Sequence, residues 1–375
     1  MSRTHETLER VREVSAARPP APAPRITGVG TAVTAESYSQ QEVLALFGIT
    51  DPKVRSVFLN SAIERRFLSV PPRDASGAIQ PETQGALLRK HARLGVDMGG
   101  RALRACVADA GAALSDVDYL CCVTSTGFLT PGVSALVIRE LGLDPGCGRV
   151  DVVGMGCNAG LNALNATAAW SRANPGRLAV LLCVEVCSAA YVVDGTMGTV
   201  VVNSLFGDGA AAIALVTPAR GDGGEHPPAG PSVLAFASHI ITDAFDAMRY
   251  DWDEEQGKFS FHLDPEIPYV VGAHAEGVVD RLLVAAGLRR GGVRHWLVHS
   301  GGKKVIDAVR VNLGLTRHDV RHTIEVLRDY GNLSSGSFLF SYQRLLREGV
   351  AAEGDYGVLM TMGPGSTIET ALIRW

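Results

Sequence analysis

Cys157 stands in Gly154-Met155-Gly156-Cys157-Asn158-Ala159-Gly160, between an apolar strand-like run (Val150–Val153) and a helix-like run (Leu161–Ala169). A thiol on a glycine-flanked strand-to-helix turn meets free backbone N–H groups and the positive end of the helix dipole, and both favour the thiolate. Small neighbours on either side also admit a close-approaching substrate. The setting reads as that of a nucleophile. Cysteine is equally a common small buried residue, and Cys106, Cys121, Cys122, Cys147, Cys183 and Cys187 need no chemistry. Two residues from the second half of the chain have comparable settings. His299 ends the strand-like Trp296-Leu297-Val298 and enters the turn Ser300-Gly301-Gly302, and Asn332 lies in Tyr330-Gly331-Asn332-Leu333-Ser334-Ser335-Gly336. An imidazolium beside the thiol would stabilise its thiolate, and His and Asn donors would bind a thioester oxygen as it becomes an enolate. A core histidine and a helix N-cap are the ordinary alternatives for His299 and Asn332. Among the other histidines only His262 follows an apolar run.

Residues so far apart meet only if the elements that carry them converge. Strands alternate with helices along the chain, which predicts an α/β fold with largely buried sheets. The clearest strands are Tyr119–Thr124, Leu178–Val184, Ala210–Val216, His295–Val298 and Gly357–Thr361. Helices are predicted at Thr83–Ala110, Pro131–Leu141, Asn158–Ala173, Tyr269–Ala286, Lys303–Leu313 and Gly336–Glu348. The two halves echo each other. A strand leads to a helix ending in Leu141-Gly142-Leu143 and then to Cys157, and again to a helix ending in Leu313-Gly314-Leu315 and then to Asn332. The spacing from Thr124 to Cys157 equals that from His299 to Asn332. A duplicated βα unit follows, with Cys157 and Asn332 on equivalent strand-to-helix turns that face a shared cleft. The expected organisation is a disordered leader (1–25), a first half carrying the cysteine (26–220), a linker rich in Gly, Pro and charge (221–231), and a second half carrying the histidine and asparagine (232–375).

Composition limits the function classes. The 375 residues, 46% of them hydrophobic, can bury a large core, and a net charge of −4 offers no footprint for nucleic acid. Seven cysteines without small-domain spacing fit a reduced compartment, and no CxxC pair or His-rich cluster suggests a metal. The amino terminus lacks the apolar core of a signal peptide, and the most hydrophobic stretch, Leu178–Val193, is too short to span a bilayer and contains Glu185. The expectation is a soluble cytoplasmic protein with no nucleic-acid or membrane partner.

Five motifs in order carry a resemblance. They are Gly156-Cys157-Asn158-Ala159-Gly160, Leu205-Phe206-Gly207-Asp208-Gly209-Ala210-Ala211-Ala212, His299-Ser300-Gly301-Gly302, Gly331-Asn332-Leu333-Ser334-Ser335 and Gly363-Pro364-Gly365. From Ile26 to Trp375 the chain resembles the type III polyketide synthases, the chalcone synthase family. Thr124–Pro131 and Tyr250–Asp253 are similar to the bacterial members that supply the dihydroxyphenylglycine unit of glycopeptide antibiotics by making 3,5-dihydroxyphenylacetyl-CoA. The resemblance implies a thiolase fold, αβαβα layers from two duplicated halves, and a homodimer. It implies that Cys157 accepts an acyl group from malonyl-CoA while His299 and Asn332 hold the enolate left by decarboxylation. No metal or redox cofactor is implied, and a crotonase-like accessory protein is a possible partner for the later steps.

By the same resemblance Phe206 and Phe261 are gatekeepers, and Thr126, Thr130, Cys187, Ala190 and Ser334 line a cyclisation cavity. Lys53, Arg55, Gly301, Lys303 and Lys304 border the CoA passage, although relatives carry uncharged residues where Lys303 and Lys304 stand. Met362 replaces a Phe of plant relatives. The alternatives are an initiating β-ketoacyl carrier-protein synthase on the same fold, a Cys-dependent CoA thioesterase, and a non-catalytic scaffold.

Overall fold

The computed structural model describes residues 22–77, 79–192, 197–219 and 229–375. The first half comprises β1 (Arg25–Ala32), β2 (Ser37–Ser39), α1 (Gln40–Leu46), α2 (Pro52–Leu59), β3 (Arg65–Phe67), α3 (Gln84–Asp109), β4 (Val117–Thr124), α4 (Val133–Leu141), β5 (Gly148–Val153), α5 (Ala159–Ala173), β6 (Leu178–Glu185), α6 (Met197–Leu205) and β7 (Gly209–Val216). The second comprises β8 (Ser232–Ile240), β9 (Met248–Asp253), β10 (Lys258–Leu263), α7 (Ile267–Ala285), β11 (Val293–Val298), α8 (Lys303–Asn312), α9 (Arg321–Tyr330), α10 (Ser337–Glu348), β12 (Tyr356–Gly363) and β13 (Thr367–Arg374).

The halves are copies of one topology. Strand order β1-β7-β6-β4-β5 in the first matches β8-β13-β12-β11 in the second, and the two runs join where β1 meets β8. The directions agree too: β7 is antiparallel to β1 and β6, as β13 is to β8 and β12, while β4–β6 and β11–β12 are parallel. Helices α3 and α4 cover one face of the first sheet and α7 covers β8 and β13 of the second. Between the sheets lie α5 and α10, whose Leu161, Leu164, Phe338 and Leu339 join strand residues of both halves in one buried cluster. These are the αβαβα layers of the thiolase fold. Each such side chain contributes about 1.5–3 kcal/mol by leaving water.

Local chemistry explains the element ends. Thr83 caps α3 by accepting the Ala86 amide hydrogen. Gly142 and Gly349 take the left-handed backbone (φ 65° and 68°) that closes α4 and α10. β6 reads as a continuous apolar run because it is buried along its whole length, with Glu185 at its end.

The sequence expectations need four corrections. Residues 1–21 of the predicted leader lie outside the described residues, and Arg25 is already the first residue of β1. Of the predicted linker, 221–228 lies outside them; Gly230 and Pro231 are tied to β1, since the Gly230 carbonyl accepts from the Arg25 guanidinium and the Pro231 carbonyl from the Ile26 amide. Helices α6 and α9 and the β9–β10 hairpin were not anticipated. Most consequentially, Asn332 does not follow a strand but the helix α9, and its backbone only bridges Phe206. The true counterpart of Cys157 is Ser335. Each sits in a 3-10 turn two residues before a central helix, and each follows a residue of positive φ, Gly156 at 72° and Ser334 at 49°.

The two turns touch. A Cβ on Gly160 would lie 2.1 Å from the Ser335 carbonyl oxygen and 2.9 Å from the Phe338 ring. Gly160→Ala is therefore expected to cost on the order of 1–3 kcal/mol, by the usual price of overpacking. An unchanged urea midpoint would show that the turns do not meet.

Candidate active site

Cys157 lies in the turn Gly156–Asn158 at the start of α5, 7% exposed. The loop Gly363-Pro364-Gly365 closes over it. A Cβ at Gly363 would come within 3.0 Å of the Cys157 nitrogen, and one at Gly156 within 2.3 Å of the Pro364 ring. Only glycine permits that approach, which is why the flanking glycines recur around the thiol.

Ser334 ties this turn to the residues from the second half. Its hydroxyl faces the Cys157 sulfur and favours the thiolate. Its amide donates to Asn332 Oδ1 (2.8 Å), and its carbonyl accepts from Ser337 Oγ (3.1 Å). Ser337 Oγ in turn meets Nδ1 of His299. With the Ser337 hydroxyl pointed at the Ser334 carbonyl, Nδ1–H donates to Ser337 and Nε2 is left as the bare lone pair. No described residue hydrogen-bonds His299 Nε2 or Asn332 Nδ2. One ring nitrogen and one amide group are thus unspent. Gly301 leaves the ring approachable, since a Cβ there would stand 3.4 Å from Nε2.

Burial governs the resting charges. It pushes the Cys157 thiol up to about 12, helped by nearby Glu185 and opposed by the Ser334 side chain. It pushes the His299 ring down to about 3. Burial opposes the expected thiolate–imidazolium pair, while the turn's dipole and the Ser334 side chain favour the thiolate. His299 Nε2 is left as an uncharged acceptor.

Cys157 opens on a pocket whose wall includes Phe206, Phe261, Thr126, Cys187, Ala190 and Ser334. Phe206 and Phe261 meet edge to face at 5.8 Å between centroids. Phe206 is pinned to Asn332 from both sides: the Asn332 amide donates to the Leu205 carbonyl (2.8 Å), and the Gly207 amide donates to the Asn332 carbonyl (3.0 Å). Thr130 is exposed on this chain and is not part of this pocket wall. The loop after β4 leaves the pocket at Phe128, which packs on Phe259, and carries Thr130 out to an exposed position. Lys303 and Lys304 are exposed in the first turn of α8, after Gly302, which abuts Leu205. Lys53 and the half-buried Arg55 lie on α2, which packs on α6. Both basic pairs sit on elements that touch the segment ending at Phe206. Pro364 also lines the pocket, and Met362 is buried beside it on β12.

Sequence reasoning missed several supporting groups. Arg66 is wholly buried, and its Nη1 donates to the Phe206 and Asn203 carbonyls (2.7 Å each) and the Tyr191 hydroxyl (2.9 Å). Its neighbour Arg65 is exposed, so the adjacent pair gives no local signal of burial. Burial raises Asp208 to about 6, against the hydrogen bonds from Ser188 and Ser69 by which it anchors the Cys187–Ala190 turn. Glu185, fully buried and raised by burial, accepts from the Ser125 amide and Thr126 hydroxyl (3.0 Å each) and from Ser335. Its signal was visible, a lone charge inside the most apolar stretch. Among the described residues no group of three or more His, Cys, Asp and Glu could hold a metal ion, and no helix is long and apolar enough to cross a membrane.

Comparison with known proteins places this geometry in a class. Residues 84–218 match the N-terminal domain of chalcone and stilbene synthases, and residues 239–375 match the C-terminal domain. The chain belongs to the chalcone and stilbene synthase family. It is 70% identical over 361 residues to the 3,5-dihydroxyphenylacetyl-CoA synthase of Streptomyces toyocaensis, covering 96% of this chain and 92% of that protein. The protein of the same description from Amycolatopsis balhimycina is also 70% identical, over 94% of this chain and 93% of its own length. The crystal structure of PKS-I from the brown alga Ectocarpus siliculosus superposes with a TM-score of 0.87 at 25% identity, covering 95% of this chain and 99% of that one.

The proton route from sulfur to Nε2 can be tested without substrate. His299→Ala is expected to slow alkylation of Cys157 by iodoacetamide at pH 8 by at least about tenfold, because the thiolate is the reacting species. Peptide mapping that returns the parent rate would mean the thiol ionises without the ring.

Proposed function

We propose that this chain is a type III polyketide synthase that condenses four malonyl-CoA into an eight-carbon chain and closes it to 3,5-dihydroxyphenylacetyl-CoA, a precursor of the dihydroxyphenylglycine of glycopeptide antibiotics. The observation that carries the reading is 70% identity, over nearly the whole chain, to synthases of that description.

The site can perform each step with its own residues. Cys157 gives its proton to His299 Nε2 and attacks the malonyl thioester carbonyl, and CoA leaves as the thiolate to take a proton from solvent, so the ring keeps its hydrogen on Nε2. A second malonyl-CoA then enters past Gly301, with its carboxylate against the Phe206 and Phe261 rings. An apolar face stabilises neutral carbon dioxide over the carboxylate, so the charge shifts to the thioester oxygen. His299 Nε2–H and the Asn332 Nδ2 amide, the two unspent groups, bind that enolate oxygen. Its carbon attacks the acyl group on Cys157, and the lengthened chain returns to the sulfur for the next cycle. Decarboxylation supplies the carbanion and no atom is oxidised overall, so the chemistry needs no metal or redox cofactor.

Other parts of the reading have narrower support. Lys53, Arg55, Lys303 and Lys304 would receive the CoA phosphates as mobile ammonium and guanidinium donors. A homodimer is supported by β5, an edge strand with Val150 and Val153 exposed and pairing only with β4; light scattering that returned the mass of one chain would remove it. A cytoplasmic site fits seven free cysteines. A crotonase-like partner would serve any dehydration that the synthase leaves undone.

Malonyl-CoA alone is expected to yield the eight-carbon aromatic product by mass spectrometry, and Cys157→Ala to form no acyl adduct by intact mass. Malonate and free CoA as sole products would identify a hydrolase, turnover only with malonyl-carrier protein would identify a carrier-protein synthase, and an adduct on the variant would displace Cys157. Lys304→Ala should raise KM for malonyl-CoA several-fold with little change in kcat if it meets phosphate. An unchanged KM returns it to the solvated surface.

A further inference from the structure

Five residues lining the pocket carry hydroxyls: Ser125, Thr126, Tyr191, Tyr250 and Ser334. Three are committed elsewhere. Thr126 donates to Glu185 (3.0 Å), Tyr191 donates to the Phe206 carbonyl (2.6 Å) while accepting from Arg66, and the Ser334 hydroxyl faces Cys157 and Glu185. The Ser125 hydroxyl has no partner but is sealed from any probe. Tyr250 is different. It is half-buried, its hydroxyl is neither sealed nor bonded to any described residue, and the phenol lies near enough to Cys187, Glu185 and Cys157 to feel their charges.

The hairpin fixes where this hydroxyl points. Tyr250 on β9 pairs directly with Phe261 on β10, and their rings pack at 5.1 Å between centroids. Phe261 packs on Phe206 in turn. The phenol therefore stands in a rigid aromatic row whose far end is tied through Phe206 to Asn332. Burial holds it well above the ordinary tyrosine range, so it stays a neutral hydrogen-bond donor.

We infer that Tyr250 is a catalytic residue for ring closure, donating its hydroxyl to the oxygen of the chain's β-carbonyl, the one two carbons from the thioester. The assignment rests on the proposed function. Closure to a 3,5-dihydroxyphenylacetyl thioester joins the far terminal carbon, as a carbanion, to that β-carbonyl carbon. The carbanion supplies the electron pair of the new bond and the carbonyl π pair moves onto oxygen. That oxygen takes up a proton and leaves as water with a second hydrogen from the adjoining carbon, and the two remaining ketones enolise to the ring hydroxyls. Cys157 and Tyr250 line one pocket, so a chain whose thioester end sits at the Cys157 turn passes the phenol. A donor aimed at the developing alkoxide stabilises this closure over others available to the same chain. A chain without that donor closes through an enol oxygen to a pyrone or is released unclosed.

The test is Tyr250→Phe, read as aromatic product formed per carbon dioxide released from malonyl-CoA. The ratio should fall at least about tenfold, with the missing carbon recovered as pyrone or linear acid. A ratio within twofold of the parent overturns the inference. The thermal midpoint is a second readout. Because the hydroxyl has no partner among the described residues, the variant should melt with the parent, and a clearly lower midpoint would show that the group is held by the protein and unavailable to substrate. A parent enzyme that makes no eight-carbon aromatic product overturns the proposed function itself, and the role of Tyr250 falls with it.

Discussion

Ser334 holds a left-handed backbone, φ 49°, in a class of residue that rarely adopts it. Such a conformation costs on the order of 1–3 kcal/mol and persists only where its surroundings over-determine it. Here they do. The amide is bound to Asn332, the carbonyl receives Ser337, and the hydroxyl reaches Cys157. The next residue, Ser335, presses its carbonyl against Gly160 and gives its hydroxyl to Glu185. One strained residue thereby sets the register between a nucleophile from the first half and two donors from the second. The duplicated topology explains how this is possible: each central helix starts with the same 3-10 turn, and the two turns are apposed at the middle of the molecule.

The surrounding charges follow from the same enclosure. Arg66, Glu185 and Asp208 are all buried and hydrogen-bonded, although Arg66 Nε is left without a partner. Arg66 braces the carbonyl of Phe206, Asp208 braces the turn that carries Cys187 and Ala190, and Glu185 braces both Thr126 and Ser335. Their cost in desolvation is offset by fixing the pocket wall. A wall so fixed can discriminate among the conformations of a flexible chain, and the sparing use of open donors sharpens that discrimination. Most of the pocket's hydroxyls are spoken for, so the few that remain decide where an oxygen of the chain can rest.

Much of this was legible in the sequence because glycine marks close backbone approach. The glycines around Cys157 and after His299 singled out those two residues, and α3, α5 and α10 were visible from their apolar periodicity and end signals. The equal spacings that paired Cys157 with Asn332 were misleading, because α9 occupies the place that β5 holds in the first half. Counting residues cannot distinguish a strand from a helix of similar length, whereas the positive φ values at Gly156 and Ser334 reveal the real equivalence. Arg66 and Tyr250 were hidden for another reason: their roles depend on which carbonyl or ring lies across a contact from a distant segment. The balance of charge between Cys157 and His299 is less legible, because a turn's dipole is local and readable while desolvation depends on everything packed around it.

The central claim is that the unspent groups of His299 and Asn332 converge on one oxygen beside the Cys157 sulfur. A crystal structure of the protein with a non-decarboxylating malonyl-CoA analogue tests it directly. The account predicts the thioester oxygen at roughly 2.7–3.1 Å from both His299 Nε2 and Asn332 Nδ2, the range of an oxyanion site. A thioester oxygen held by neither group, or lying on the far side of Phe206 from Cys157, would contradict it.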